Sequence, residues 1–170
     1  MCIRDSAIED AARRGRAMEA RFFMEGVVTW MACNSAMQNS DSVDEAFLYA
    51  RRDGDEVGPL HIMGWDCDDL TKPPSHPEST LEDPLTWACE STLERAVLTT
   101  PSSRAQLRAA LARVLAGPLN DEAVAARLDG LRQTLAVVDP GGAEPRAAAI
   151  RSFRASLAER RRTLLERLGN

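Results

Sequence analysis

The stretch DEAVAARLDGLRQTLAVVDPGGAEPRAAAIRSFRASLAERRRTLLERL, residues 121–168, decides the reading of the fold class. Val124, Leu128, Leu131, Leu135 and Val138 recur in alternating steps of four and three, the spacing of a helical packing seam of coiled-coil type. Pro140, Gly141 and Gly142 then make a turn. Beyond it Ile150, Phe153, Leu157, Leu164 and Leu168 fall on one side of a last helix that Gly169 ends. So short a connection favours antiparallel neighbours.

Working upstream, Asp121 follows the Gly117-Pro118 stop of a helix whose Leu107, Leu111 and Val114 share a face and whose start Ser103 and Gln106 would cap. Asp83 before Pro84 predicts a helix through Leu98, ended by Pro101. At the other end, residues 7 to about 38 read as one long helix without proline, and the capping-box pair Ser42 and Glu45 predicts a second helix to about Arg52. Between positions 53 and 83 lie Gly54, Gly58, Pro59, Gly64, Pro73, Pro74 and Pro77, too many breakers for a long regular element, with Leu60–Trp65 as a short strand or turn. The expectation is an all-α protein: a helical bundle or orthogonal array of about six helices with one long irregular loop over 53–83. Residues 7–170 form a single domain in this reading, with N-terminal helices to 52, the loop, and C-terminal helices over 84–168.

With 170 residues, 44% hydrophobic and 28% charged, the chain is large enough for its own core and is neither disordered nor of low complexity. The net charge of −5 is unevenly spread. Residues 41–94 carry 14 acidic and 3 basic side chains, whereas residues 101–170 carry 7 and 12. An acidic centre beside an arginine-rich tail fits pairing within or between proteins better than general nucleic-acid binding. Phe22–Met37, the most apolar run, is interrupted by Glu25, Thr29, Asn34 and Ser35 and falls short of a membrane span, so it reads as a buried helix. The four cysteines form no CxxC pair, and no secretion signal opens the chain, which predicts a reducing cytoplasm.

Met1-Cys2-Ile3-Arg4-Asp5-Ser6 resembles translated sequencing-adapter read-through of the kind found at the start of metagenomic reading frames. That resemblance implies that authentic sequence begins near Ala7, and it sets Cys2 aside. Thr99-Thr100-Pro101-Ser102-Ser103, followed by Leu107 and Leu111, resembles a turn of small uncharacterised helical proteins of bacterial and prophage origin, over residues 93–115. It implies a helical accessory protein and assigns no site.

Both histidines fall in the irregular loop with Cys67 and the acidic run Asp66, Asp68 and Asp69. His61, Cys67 and His76 are therefore the candidate ligands for zinc, although their separations of six and nine exceed the usual pairing of zinc ligands. Asp66, Asp68 and Asp69 do not make a calcium loop, since Pro77 stands where the bidentate glutamate belongs. Cys33 and Cys89, each close after a tryptophan, read as packed thiols. No catalytic set assembles, so no catalytic residue and no resident cofactor are assigned. In the last helix Arg151, Arg154, Arg161 and Arg162 are the candidates for meeting an acidic protein partner or a second copy.

The function expected from these features is a non-enzymatic, phage-derived helical interaction or self-assembly protein of the cytoplasm, engaging a protein partner or a homo-oligomer and neither nucleic acid nor membrane. Two alternatives stay open. One is a DNA-binding regulator with a degenerate helix-turn-helix over 111–132, using Arg127 and Arg132. The other is a metal- or thiol-dependent enzyme built on the 61–76 loop.

Overall fold

The computed structural model describes residues 13–40, 46–64, 67, 69–72, 83–89 and 91–169. Residues 13–19 are helical (α1). They are followed by α2 (Met24–Met37), the strands β1 (Ala46–Asp53) and β2 (Glu56–Gly64), α3 (Thr92–Thr99), α4 (Pro101–Ala116), α5 (Asp121–Val138) and, after a 3-10 turn at Pro140–Gly142, α6 (Ala143–Gly169).

α2 is the centre of the molecule. Val27, Val28, Met31, Ala32, Asn34, Ser35 and Ala36 are all buried, so it has no wide solvent face and must be covered from several directions. α4 covers one side with Leu107, Ala110, Leu111, Val114 and Leu115, while α6 and β2 close others. These residues join Leu85, Cys89, Val97 and Leu164 in one hydrophobic cluster. α2 ends where Gln38 takes a left-handed conformation and its N–H returns to the Asn34 carbonyl.

The protein is mostly helical but not all-α. Residues 46–52, expected as the end of a second helix, form β1 together with Asp53, and β1 pairs antiparallel with β2 from Ala46 opposite Gly64 to Asp53 opposite Glu56. Gly54, with φ of 60°, opens the two-residue turn between them. Gly58 and Pro59 are tolerated because the register shifts between Ala50 and Arg52, and proline at an irregularity forfeits no ladder bond. The Ser42–Glu45 capping box lies outside the described residues.

The long N-terminal helix is interrupted for a tertiary reason. The Phe23 N–H donates to the Leu60 carbonyl at 2.8 Å and the Leu60 N–H donates to the Arg21 carbonyl at 2.7 Å. Residues 21–23 thus serve as a short parallel bridge along β2 and cannot remain helical.

Downstream, residues 83–89 are a turn in place of a helix start: the Asp83 carboxylate accepts from the Leu85 N–H at 2.9 Å and pairs with Arg104 at 3.0 Å. Helix α3 starts at Ser91 instead, through a complete capping box with Glu94. Pro101 occupies the first turn of α4, and Ser103, expected as its cap, is buried and donates to Glu19 at 3.3 Å. Asn120 caps α5 by accepting from the Ala123 N–H at 2.7 Å. The seam expected on α5 leans on α6, yet no residue of α5 is buried.

Among the described residues, no helix is long and apolar enough to cross a membrane. Burial divides the leucines and valines into two energetic classes. Leu111→Ala, at a fully buried site, is expected to lower unfolding free energy by about 2–5 kcal/mol, whereas Val137→Ala, at 82% exposure, should change it by less than about 0.5 kcal/mol. Urea denaturation of the two variants checks both.

Candidate functional site

The hairpin has two unlike faces. Cross-strand pairs Phe47 with Met63 and Tyr49 with His61 place four large side chains on one of them. There the His61 ring lies between Phe23, at 4.9 Å, and Tyr49, at 5.2 Å. Phe47 is 53% exposed, and Tyr49, Phe23 and Met63 are exposed with it, so this aromatic surface faces outward. On the α2 side, Ile62 and Gly64 line a groove of about 620 Å³ whose opposite wall is Trp30, Cys33, Asn34 and Met37. Gly64 runs against the Trp30 indole, where an added Cβ would meet ring atoms at 3.6 Å.

The chain leaving β2 is tied to the end of α2. The Ser40 N–H and hydroxyl both donate to the Asp69 carbonyl at 3.3 Å. The Thr71 N–H donates to the Met37 and Gln38 carbonyls at 3.3 and 3.0 Å, with Thr71 held at φ of 60°. Lys72 pairs with the Asp69 carboxylate, and the Trp87 indole donates to the Lys72 carbonyl at 2.9 Å. Asn34 is only 7% exposed; its oxygen accepts from Asn39, and its amide nitrogen, on the groove wall, has no hydrogen-bond partner.

Behind the groove, Arg160 of α6 is buried among neutral oxygens of Ser35 and Thr86. It donates to the Ser35 carbonyl, the Ser35 hydroxyl and the Thr86 carbonyl, each at 2.9 Å, and lies 5.3 Å from the Trp87 ring centroid. Burial lowers its pKa to about 10, which leaves it charged at neutral pH.

Of the three candidate zinc ligands, His61 is held between two rings on the outer face of β2, Cys67 is exposed on the segment after it, and His76 lies outside the described residues. Among the described residues no group of three His, Cys, Asp or Glu side chains could hold a metal. The four arginines do not converge. Arg151 pairs with Glu144, Arg161 with Asp121, and Arg162 with Glu159 and Glu166, while Arg154 lines a groove between α5 and α6. Arg127 donates to the Pro118 carbonyl and Arg132 pairs with Asp129, so neither is held out toward a duplex. Sequence reasoning pointed to the segment around Cys67 but missed the groove beside it, because Trp30, Cys33 and Asn34 lie on a helix read simply as core.

Fold and groove define a mostly helical protein with a β-hairpin, in which Asp69 and Thr71, after the hairpin, are bonded to the end of the central helix. Residues 7–144 match the model of the family described as CotH kinase protein, and the chain belongs to that family. No curated protein and no solved structure matches it. The match takes in residues 93–115, so the resemblance to prophage-type helical proteins does not hold. Family membership likewise replaces the reading as a phage-derived interaction protein.

Cys89 provides a pH test of this architecture. Burial, with the negative charge of Glu94 second, pushes its thiol up to about 12. The folded state therefore keeps a proton that the unfolded state releases near its ordinary value of about 8.5, so stability is full below that pH and falls above it. Between pH 9 and 11 the wild type should lose up to about 1.4 kcal/mol per pH unit more than Cys89→Ala, as read from urea midpoints.

Proposed function

We propose that the chain acts in phosphoryl transfer, presenting the phosphate end of a cation-bound nucleotide to the acidic segment after β2. Membership in a family of kinase proteins supports the reaction class. The observation that carries the placement is the pair of hydrogen bonds from Ser40 to the Asp69 carbonyl, which fastens Asp69 to the end of the central helix.

Phosphoryl transfer asks little covalent chemistry of a protein and much positioning. A magnesium ion travelling with the nucleotide keeps several waters and needs only one or two carboxylates besides the phosphates. Asp66, Asp68 and Asp69 supply oxygen donors of that hard type within four positions of sequence. Of these, Asp69 is the one described, and Lys72 beside it adds a positive charge. The outward aromatic face carrying Phe47 and Tyr49 offers a stacking surface for the base. What the chain's own residues do in this reading is hold: Ser40 and Thr71 fix the backbone of the segment, and Trp87 fixes Lys72.

Titration of the full chain with magnesium ATP should raise its melting temperature, and radiolabelled ATP should leave phosphate on the chain or on an added protein acceptor. Asp66→Asn and Asp68→Asn should lower transfer by roughly a hundredfold while Arg151→Ala, at the exposed pair with Glu144 on α6, leaves it unchanged. A chain that neither binds nor turns over the nucleotide, or carboxamide variants as active as wild type, would overturn the proposal.

A further inference from the structure

The groove carries two thiols, and their placement follows from the way the segment after β2 tracks α2. At one end Gly64 rests on Trp30. At the other, Thr71 is bonded to Met37 and Gln38, and Asp69 to Ser40. Gly64 therefore meets residues 30 to 40 at one end of that span, and Asp69 and Thr71 meet it at the other. Cys67 stands between these anchors on the segment, and Cys33 stands between them on the helix, one turn before Met37. Both line the same groove.

We propose that Cys33 and Cys67 are a modification site, a dithiol that hydrogen peroxide converts to a disulfide bridging the central helix and the acidic segment. Cys67 is exposed and meets the oxidant, while Cys33 is half-buried and sheltered from it. The Cys67 thiolate attacks one peroxide oxygen, the O–O bond breaks, and water leaves a sulfenic acid on Cys67. The sulfur of Cys33, giving up its proton, then attacks the Cys67 sulfur, the S–O bond breaks, and a second water leaves. Two electrons pass from the thiol pair to one peroxide molecule, which is reduced to two waters. Burial raises the pKa of Cys33, and a thiolate at Cys67 raises it further, so the two sulfurs sense one another across the groove. Cys89 stays outside this chemistry, being fully buried.

The bridge would add a covalent tie between Cys67 and α2 to the hydrogen bonds at Ser40 and Thr71. It does not depend on the phosphoryl-transfer reading, since it is detected on the protein alone.

The full chain is treated with hydrogen peroxide, its remaining thiols are alkylated, and its peptides are weighed. The expected product is a Cys33 peptide joined to a Cys67 peptide, two hydrogens lighter than the pair and separated again by dithiothreitol. In Cys33→Ser, with helicity checked by circular dichroism, the sulfenic acid on Cys67 has no resolving thiol, and its capture by dimedone should rise roughly tenfold over wild type. Equal dimedone capture in the two proteins would overturn the proposal. So would a Cys67 linked instead to Cys2, to Cys89 or to a second chain, or a Cys67 that peroxide leaves as a thiol.

Discussion

Burial of α2 on most of its sides is the constraint on which the rest of the structure depends. A helix apolar on most sides cannot be satisfied by one neighbour, so α4, α6 and the hairpin must all find it. Their common core then fixes where the hairpin's end and the acidic segment fall. The polar groups that α2 brings inside are matched with the same economy. Ser35 donates its hydroxyl proton to the Leu85 carbonyl at 2.7 Å and receives Arg160 at its carbonyl and its hydroxyl oxygen. One arginine thereby joins α6, α2 and the 83–89 turn. A lysine, with a point charge in place of a planar fork, could not reproduce that set.

The hairpin shows why part of this fold was hidden in the sequence. Its aromatic face is exposed and its other face is only partly covered, so Phe47, Leu48 and Tyr49 form an apolar run without the alternation that marks a half-buried strand. Gly58 and Pro59 read as breakers because a register shift cannot be seen from one strand alone. The Asp53-Gly54 pair between two apolar runs is the available signal for a hairpin, and it stands next to a Ser42–Glu45 cap pattern that predicts a helix. The interruption at residues 21–23 is less accessible still: no local residue demands it, and its cause, Leu60, lies far along the chain.

The C-terminal helices were legible because proline, glycine and asparagine mark their ends: Pro101, Gly117, Asn120 and the Pro140–Gly142 turn all fall at element boundaries. Their burial was not legible. The seam from Val124 to Val138 is helical as its spacing requires, yet Leu131 is 47% exposed. Periodicity establishes which residues share a face, and only a neighbour of matching length makes that face a core. The candidate site divides the same way. Composition drew attention to Cys67 and the acidic run, while the partner wall on α2, 34 positions earlier in sequence, came into view only through the path the chain takes after Gly64.

The family match ends at residue 144, and α6 runs beyond it from Ala143 to Gly169. Even so, α6 supplies Leu157, Arg160 and Leu164 to the interior. Arg160 reaches the helix that carries Cys33 and Asn34, and through Thr86 it reaches the turn where the Trp87 indole holds Lys72. Residues 69–72 are thus braced from two directions, by the bonds of Ser40 and Thr71 at the end of α2 and by Trp87. Both braces lean on the same guanidinium. A side chain outside the family-matched region therefore helps set the geometry within it, because a buried arginine with carbonyl partners allows few alternative positions to any of the three segments it joins.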